Sequence, residues 1–125
     1  MSVPQRTIVI VDDDDVVRDS LKVLLESRQF TVADFASGRD FLARGDGHDA
    51  GCLILDIHMP DMTGIELLRQ LRKEGRTTPV IMVTGRQDAG LRAQAESLGV
   101  LEFLDKPIAH KQLFQAIERA LSAVR

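Results

Sequence analysis

Apolar residues along this chain follow two rhythms. Thr7-Ile8-Val9-Ile10-Val11, Cys52-Leu53-Ile54-Leu55 and Pro79-Val80-Ile81-Met82-Val83 are short runs with no polar alternation. Runs of this length, rich in β-branched residues, predict strands covered on both faces. Between them the spacing becomes helical. Val17, Leu21, Leu24 and Leu25 form one stripe and predict a helix over 15–28, with Asp14 or Asp15 as its N-cap. Leu67, Leu68 and Leu71 do the same over 64–73, which Gly75 ends, and Leu91, Ala95 and Leu98 over 88–98, capped by Asp88 and ended by Gly99. Leu113, Ile117, Leu121 and Val124 predict a last helix over 109–124. Weaker signals give a strand over 31–35, a short helix over 37–43 containing Phe41 and Leu42, and a last strand over 100–104. Arg44 to Gly51 reads as a polar, glycine-rich loop.

The reading is of five strands alternating with five helices, an α/β fold with a parallel sheet and helices on both faces. The chain has 125 residues, which fits one domain with no linker. At 44% apolar residues it can bury about two-thirds of its unfolded surface.

Charge and cysteine content remove several classes of function. Sixteen basic against nineteen acidic residues give a net charge of −3, which offers no basic surface for nucleic acid. The apolar runs are far shorter than a membrane span, and MSVPQRT carries no apolar signal core. The single cysteine, Cys52, has no internal disulfide partner, so a reducing, cytoplasmic setting is expected. Cys52 and the scattered His48, His58 and His110 offer no zinc site.

The polar residues are informative through their positions. Four acids in a row, Asp12 to Asp15, follow the first strand run; Asp56 follows the third, Thr84 the fourth and Lys106 the fifth. In a parallel sheet all carboxyl ends lie at one edge, which is where open α/β sheets bind ligands. Asp14 and Asp15 suffice to start the helix, which leaves Asp12 and Asp13 for other work. Asp12, Asp13 and Asp56 would repel one another by roughly 3 kcal/mol per pair at about 5 Å and an effective dielectric near 20. Either a raised pKa or a bound cation relieves this; for a cation, hard oxygen donors favour Mg²⁺. A carboxylate beside a divalent cation, a hydroxyl and an ammonium is suited to accept a phosphoryl group. Residue chemistry leaves Asp12 and Asp13 as competing acceptors; Asp56 is favoured because it stands alone, facing the pair.

These residues resemble the receiver domain of bacterial response regulators, the CheY-like domains. The resemblance rests on Ile10-Val11-Asp12-Asp13, on Leu55-Asp56-Ile57-His58-Met59-Pro60-Asp61-Met62-Thr63-Gly64, on Val83-Thr84-Gly85 and on Phe103-Leu104-Asp105-Lys106-Pro107. It spans nearly the whole chain and implies one receiver over 1–125. The implied fold is a (βα)5 flavodoxin-like doubly wound parallel sheet with strand order 2-1-3-4-5. The implied function is two-component signalling. Asp56 takes a phosphoryl group from a phosphohistidine of a sensor histidine kinase or phosphotransfer domain. Asp13 binds Mg²⁺ directly, Asp12 mainly through water, and Asp56 and the His58 backbone carbonyl complete the protein ligands; Mn²⁺ can replace Mg²⁺. Thr84 and Lys106 contact the phosphoryl oxygens, and Thr84 and Phe103 form a switch pair acting on the surface of the fourth helix, fifth strand and fifth helix. Lys106-Pro107 is implied to be a cis peptide. The resemblance further implies a homodimer strengthened by phosphorylation, no direct nucleic-acid or membrane binding, and no turnover of an external substrate.

The sequence departs from the family pattern in places. Phe103 stands where many receivers have tyrosine, and Val16 where many have proline. The resemblance implies that His58 and Arg86 occupy positions that tune dephosphorylation in that family. Val-Arg after the acids, Leu-Leu-Arg after Gly64 and Val-Thr-Gly resemble the FixJ-like subgroup, whose receivers usually precede a helix-turn-helix output domain. Three rivals fit worse, the first being a receiver-like scaffold that is never phosphorylated, against which the complete set of Asp12, Asp13, Asp56, Thr84 and Lys106 argues. A haloacid-dehalogenase-type phosphatase needs an acid at position 58, which is His; a flavin carrier needs a Ser/Thr/Gly-rich loop where Asp12 to Asp15 stand.

Overall fold

A strand without polar alternation is stable only if both of its faces are covered, and this chain covers them. The computed structural model describes residues 7–44, 50–86 and 88–123. In chain order the elements are β1 (Thr7–Val11), α1 (Asp15–Ser27), β2 (Thr31–Phe35), α2 (Gly38–Arg44), β3 (Cys52–Asp56), α3 (Gly64–Lys73), β4 (Val80–Thr84), α4 (Ala89–Ser97), β5 (Glu102–Asp105) and α5 (His110–Ala123). The sheet order is β2-β1-β3-β4-β5, and every pairing is parallel. This is the doubly wound, flavodoxin-like arrangement.

The period of two along each strand divides the core. Val9, Val11, Leu53, Leu55, Val80 and Met82 face one way and pack on Phe41, Leu67, Leu68, Leu71 and Ala95 from α2, α3 and α4. Ile8, Ile10, Cys52, Ile54, Ile81 and Val83 face the other way, onto Leu21 and Leu25 of α1 and Leu113, Ala116, Ile117 and Ala120 of α5. Val17 and Leu24 are partly buried against that second layer, as their place in the α1 stripe predicts.

Helix starts follow local hydrogen bonding. Asp14, not Asp15, caps α1, its carboxylate accepting from the Val16 and Val17 amides. Ser37 Oγ accepts from the Asp40 amide at the head of α2. Thr63 and Glu66 form a reciprocal capping box on α3, and Asp88 caps α4. Gly75 and Gly99 end their helices with φ of +81° and +79°.

The largest boundary difference is at the last strand, predicted over 100–104 and found over Glu102–Asp105. The Val100 amide is taken by the Ala95 carbonyl, so this residue closes the end of α4 and does not join the sheet. β3 and β4 run one residue further than their apolar runs and include Asp56 and Thr84. Part of the predicted 44–51 loop, including His48, and Val124 of the last stripe lie outside the described residues. Among the described residues, no helix is long and apolar enough to cross a membrane.

One glycine ties the fold to the polar edge. A Cβ on Gly64 would lie 2.3 Å from the Asp56 carbonyl oxygen and 3.0 Å from the Ile57 Cα. The Gly64 amide donates to the Ile57 carbonyl at 2.9 Å. The first turn of α3 thus rests directly on the backbone that carries Asp56. Backbone atoms cannot step aside as a flexible side chain can, so Gly64→Ala should lower unfolding stability by about 1–3 kcal/mol. Urea denaturation of the two proteins measures this, and equal midpoints would contradict it.

Candidate functional site

Asp12 follows β1, Asp56 closes β3, Thr84 closes β4, and Lys106 follows β5. Parallel pairing brings all four to one edge, and the order β2-β1-β3 places β1 and β3 side by side there. Asp12, Asp56 and Thr84 are buried, although each is polar. Asp13 is exposed. Each of Asp12, Asp13 and Asp56 offers a carboxylate oxygen, and these oxygens lie within 4.8 Å of one another.

Lys106 is the cation set against them. Its Nζ lies 3.1 Å from Asp12 Oδ2 and 3.3 Å from Asp56 Oδ1. Burial works against the Lys106 ammonium, but the Asp56 and Asp12 carboxylates outweigh it and hold its pKa above the ordinary value. For Asp56 the balance goes the other way. Burial, then the Asp12 charge, push its pKa up; Lys106 pulls it down without cancelling them; Asp13 adds a further upward push. The result is a carboxyl pushed up from 3.8 to about 6.

Asp12 is fixed through every polar group it has. Its amide donates to the Phe35 carbonyl at 3.1 Å. Its Oδ1 accepts from the Asp14 amide at 2.9 Å, and its Oδ2 from Lys106. Its backbone carbonyl accepts from Arg18 at 2.8 Å.

Thr84 has its hydroxyl engaged elsewhere: Oγ1 donates to the Arg86 carbonyl at 2.6 Å and accepts from the Arg86 amide at 3.1 Å. The Lys106 amide donates to the Thr84 carbonyl at 2.7 Å, which joins the two strand ends through backbone. The Lys106–Pro107 peptide is cis.

The side chains of the other residues singled out from the sequence make no hydrogen bond or ion pair with this cluster among the described residues. Phe103 is on β5, half-buried against the α3–α4 layer, with the Arg92 guanidinium 5.1 Å from its ring centroid. It lines an open hollow of about 1010 Å³ over β5 and α5, whose lining does not include Asp12, Asp13 or Asp56. His58 follows β3 in the next loop and is partly buried; its Nε2 has no hydrogen-bond partner. Asp61 occupies a turn with φ of +67°. Cys52 is buried, and burial pushes its thiol up to about 12, which suits packing and not nucleophilic chemistry.

Sequence reasoning missed Arg18 and Asp34. Arg18 bonds the Asp12 carbonyl, Asp34 Oδ2 and Asp15 Oδ1 together. A signal was present, since Asp34 is an acid inside β2 and a partly buried acid needs a cation.

The donor set suits a hard divalent cation. All three side chains offer carboxylate oxygen, and among them Asp13 is open to solvent, where an ion and its waters can enter.

Comparison with known proteins agrees with the fold. The family model for the response regulator receiver domain matches residues 8–118. The transcriptional regulatory protein FixJ of Azorhizobium caulinodans is 39% identical over 112 residues, covering 90% of this chain and 53% of that protein. The C4-dicarboxylate transport transcriptional regulatory protein DctR of Rhodobacter capsulatus is 41% identical over 120 residues, covering 94% of this chain and 59% of that protein. The chain thus spans little more than half the length of these curated relatives. The crystal structure of FixJ-N superposes with a TM-score of 0.88 at 36% identity, covering 100% of this chain and 98% of that one.

The raised Asp56 pKa has a consequence for stability. Between pH 3.8 and about 6 the folded chain holds a proton that the unfolded chain has released, so stability falls as pH rises through that window. Asp56→Asn removes this titration. In metal-free buffer the variant should melt higher than the parent above pH 6, by on the order of a few degrees, with the gap closing toward pH 4. Paired melting curves across this range test it; a gap independent of pH would contradict the assignment.

Proposed function

This chain belongs to the response regulator receiver domain family, and on that premise we propose that it is a phosphoacceptor whose acceptor is Asp56. Receiver domains of transcriptional regulators are signalling modules. The observation that carries the assignment of Asp56 is its position: it closes the buried strand β3, and it meets Lys106 and both other carboxylates.

In the proposed reaction an Asp56 carboxylate oxygen attacks the phosphorus of a phosphohistidine on a sensor kinase or phosphotransfer domain. The new O–P bond forms as the N–P bond breaks, and the imidazole nitrogen keeps the electron pair of that bond. Asp56 must be ionised to attack, and with its pKa at about 6 it is ionised near neutral pH. Lys106, already 3.3 Å from Asp56 Oδ1, offsets charge on the phosphoryl oxygens. A Mg²⁺ or Mn²⁺ ion, held by Asp12, Asp13, Asp56 and the His58 backbone carbonyl, supplies further neutralisation of those oxygens when bound. Asp12, fixed by Lys106 and the Asp14 amide, keeps the carboxylate pair in register with Asp56.

The same reading assigns the switch to Thr84 and Phe103. A hydroxyl has one proton to donate, so Thr84 must release the Arg86 carbonyl before it can bond a phosphoryl oxygen. Movement there bears on β5 through the Lys106 amide, and so on Phe103 and the α4–β5–α5 face. We read residues 1–125 as one receiver that acts in the cytoplasm. Its modified form presents that face to a partner, a second copy of the chain included. Turnover of an external substrate forms no part of this reading.

Incubation with acetyl phosphate and Mg²⁺ should add one phosphoryl group to the intact protein, read by mass. Asp56→Asn should add none, and Asp13→Asn or omission of Mg²⁺ should slow labelling by at least about 10-fold. Labelling of the Asp56→Asn protein at the parent rate would remove Asp56 as the acceptor.

A further inference from the structure

Arg18 holds the carboxylate loop from behind. Its side chain is 13% exposed, and its guanidinium makes three bonds in three directions. One goes to the Asp12 backbone carbonyl at 2.8 Å, one to Asp34 Oδ2 on β2 at 2.9 Å, and one to Asp15 Oδ1 in the first turn of α1 at 2.6 Å. The three acceptors belong to the end of β1, the neighbouring strand and the helix that follows. The bonds leave from three separate nitrogens of a planar fork, whereas an ammonium carries its three donors on one nitrogen.

The Asp12 carbonyl is a sensitive place to hold. It belongs to the peptide unit joining Asp12 to Asp13, and a peptide unit is planar. Fixing the carbonyl direction therefore fixes where Asp13 leaves the chain. No hydrogen bond to the exposed Asp13 carboxylate is seen among the described residues; Asp12, in contrast, is held through its amide, both carboxylate oxygens and its carbonyl. The aim of the Asp13 carboxylate thus depends on the backbone that Arg18 clamps.

We propose that Arg18 is a positioning residue for the cation site, one that sets its affinity for Mg²⁺ by fixing the Asp12–Asp13 peptide. This rests on the reading of Asp12, Asp13 and Asp56 as metal ligands. Geometry and charge make opposite predictions here. A guanidinium beside a cation site repels the cation, so by charge alone its removal tightens Mg²⁺ binding. By positioning, its removal weakens binding.

Isothermal titration of the purified chain with Mg²⁺, in the absence of any phosphodonor, separates the two. Arg18→Lys, which keeps the charge and loses the fork, should weaken Mg²⁺ binding by about 10-fold, the usual effect of removing a group that orients a metal ligand. Arg18→Ala should weaken it at least as much. Lys22→Met, which removes the other cation on Asp34 (3.4 Å away) and leaves the fork intact, should bind as the parent does. Circular dichroism confirms that each variant is folded; if Arg18→Ala is not, Arg18→Lys decides the question alone. Unchanged or tighter binding in folded Arg18→Lys overturns the proposal, as does an equal loss in Lys22→Met. A parent chain that shows no saturable Mg²⁺ binding overturns the metal reading, and the proposal with it.

Discussion

Among the described residues, three carboxylate groups with oxygens inside 4.8 Å face a single ammonium, and much of the structure is arranged around that imbalance. Each carboxylate pair at this separation costs roughly 3 kcal/mol at an effective dielectric near 20, more than one partly exposed lysine returns. The Asp56 pKa, pushed up to about 6 first by burial and then by the Asp12 charge, is in part an expression of the imbalance. Another is the fixing of Asp12 by the Phe35 carbonyl of β2, which accepts from its amide, by the Asp14 amide at the helix start, by Lys106 and by Arg18. The edge is held in an arrangement that it would not adopt unaided, by two apolar layers that cover the sheet on both faces. Local disagreement of this kind within an otherwise consistent fold is what functional sites produce.

Parallel topology makes the concentration of charge possible. Four strand ends arrive at one edge from distant parts of the sequence, and the backbone then joins them. The Ile57 amide bonds the Val83 carbonyl, and the Lys106 amide bonds the Thr84 carbonyl. Gly64 rests on the Asp56 carbonyl with no room for a side chain. A displacement at the end of β4 is therefore passed to Lys106 and β5 through backbone hydrogen bonds and not only through side-chain packing. Phe103, under the Arg92 guanidinium, sits on that strand.

The strands and helices were legible because their signal is periodic and local. Unbroken runs such as Ile8–Val11 and Leu53–Leu55 fit only a doubly covered sheet, and the α1 stripe of Val17, Leu21, Leu24 and Leu25 fits only one helical face. The convergence of Asp12, Asp56, Thr84 and Lys106 followed from alternation alone, once the sheet was parallel. Their pattern also resembled a known family, and that likeness gave the strand order. Contacts between elements were not legible. The Val100 amide could have served strand or helix end, and only the folded chain gives it to Ala95. Arg18 carried no sign of this role, because nothing in its spacing says that its guanidinium reaches both Asp34 and the Asp12 carbonyl. The Thr84 hydroxyl was expected to point toward chemistry, and it is bonded to Arg86.

That last bond bounds the proposed switch. Thr84 would exchange a neutral hydrogen bond, worth about 1 kcal/mol net, for one to a charged phosphoryl oxygen, worth about 1.5–3 kcal/mol. The difference, about 0.5–2 kcal/mol, moves a two-state equilibrium by a factor of roughly 2–30. Carrying a population from about 1:99 to 99:1 takes about 5.5 kcal/mol. Thr84 alone is therefore too weak to complete the transition. The remainder has to come from groups that feel the new charge directly or that gain packing as β5 moves. Lys106 is the first of these, since a phosphoryl group gives its ammonium a stronger partner than a carboxylate of pKa about 6. Phe103 is the second, being half-buried and able to gain apolar contact on turning inward, provided Arg92 releases its ring. A switch divided among three weak contributors is graded by mutation: loss of any one narrows the population change without abolishing it.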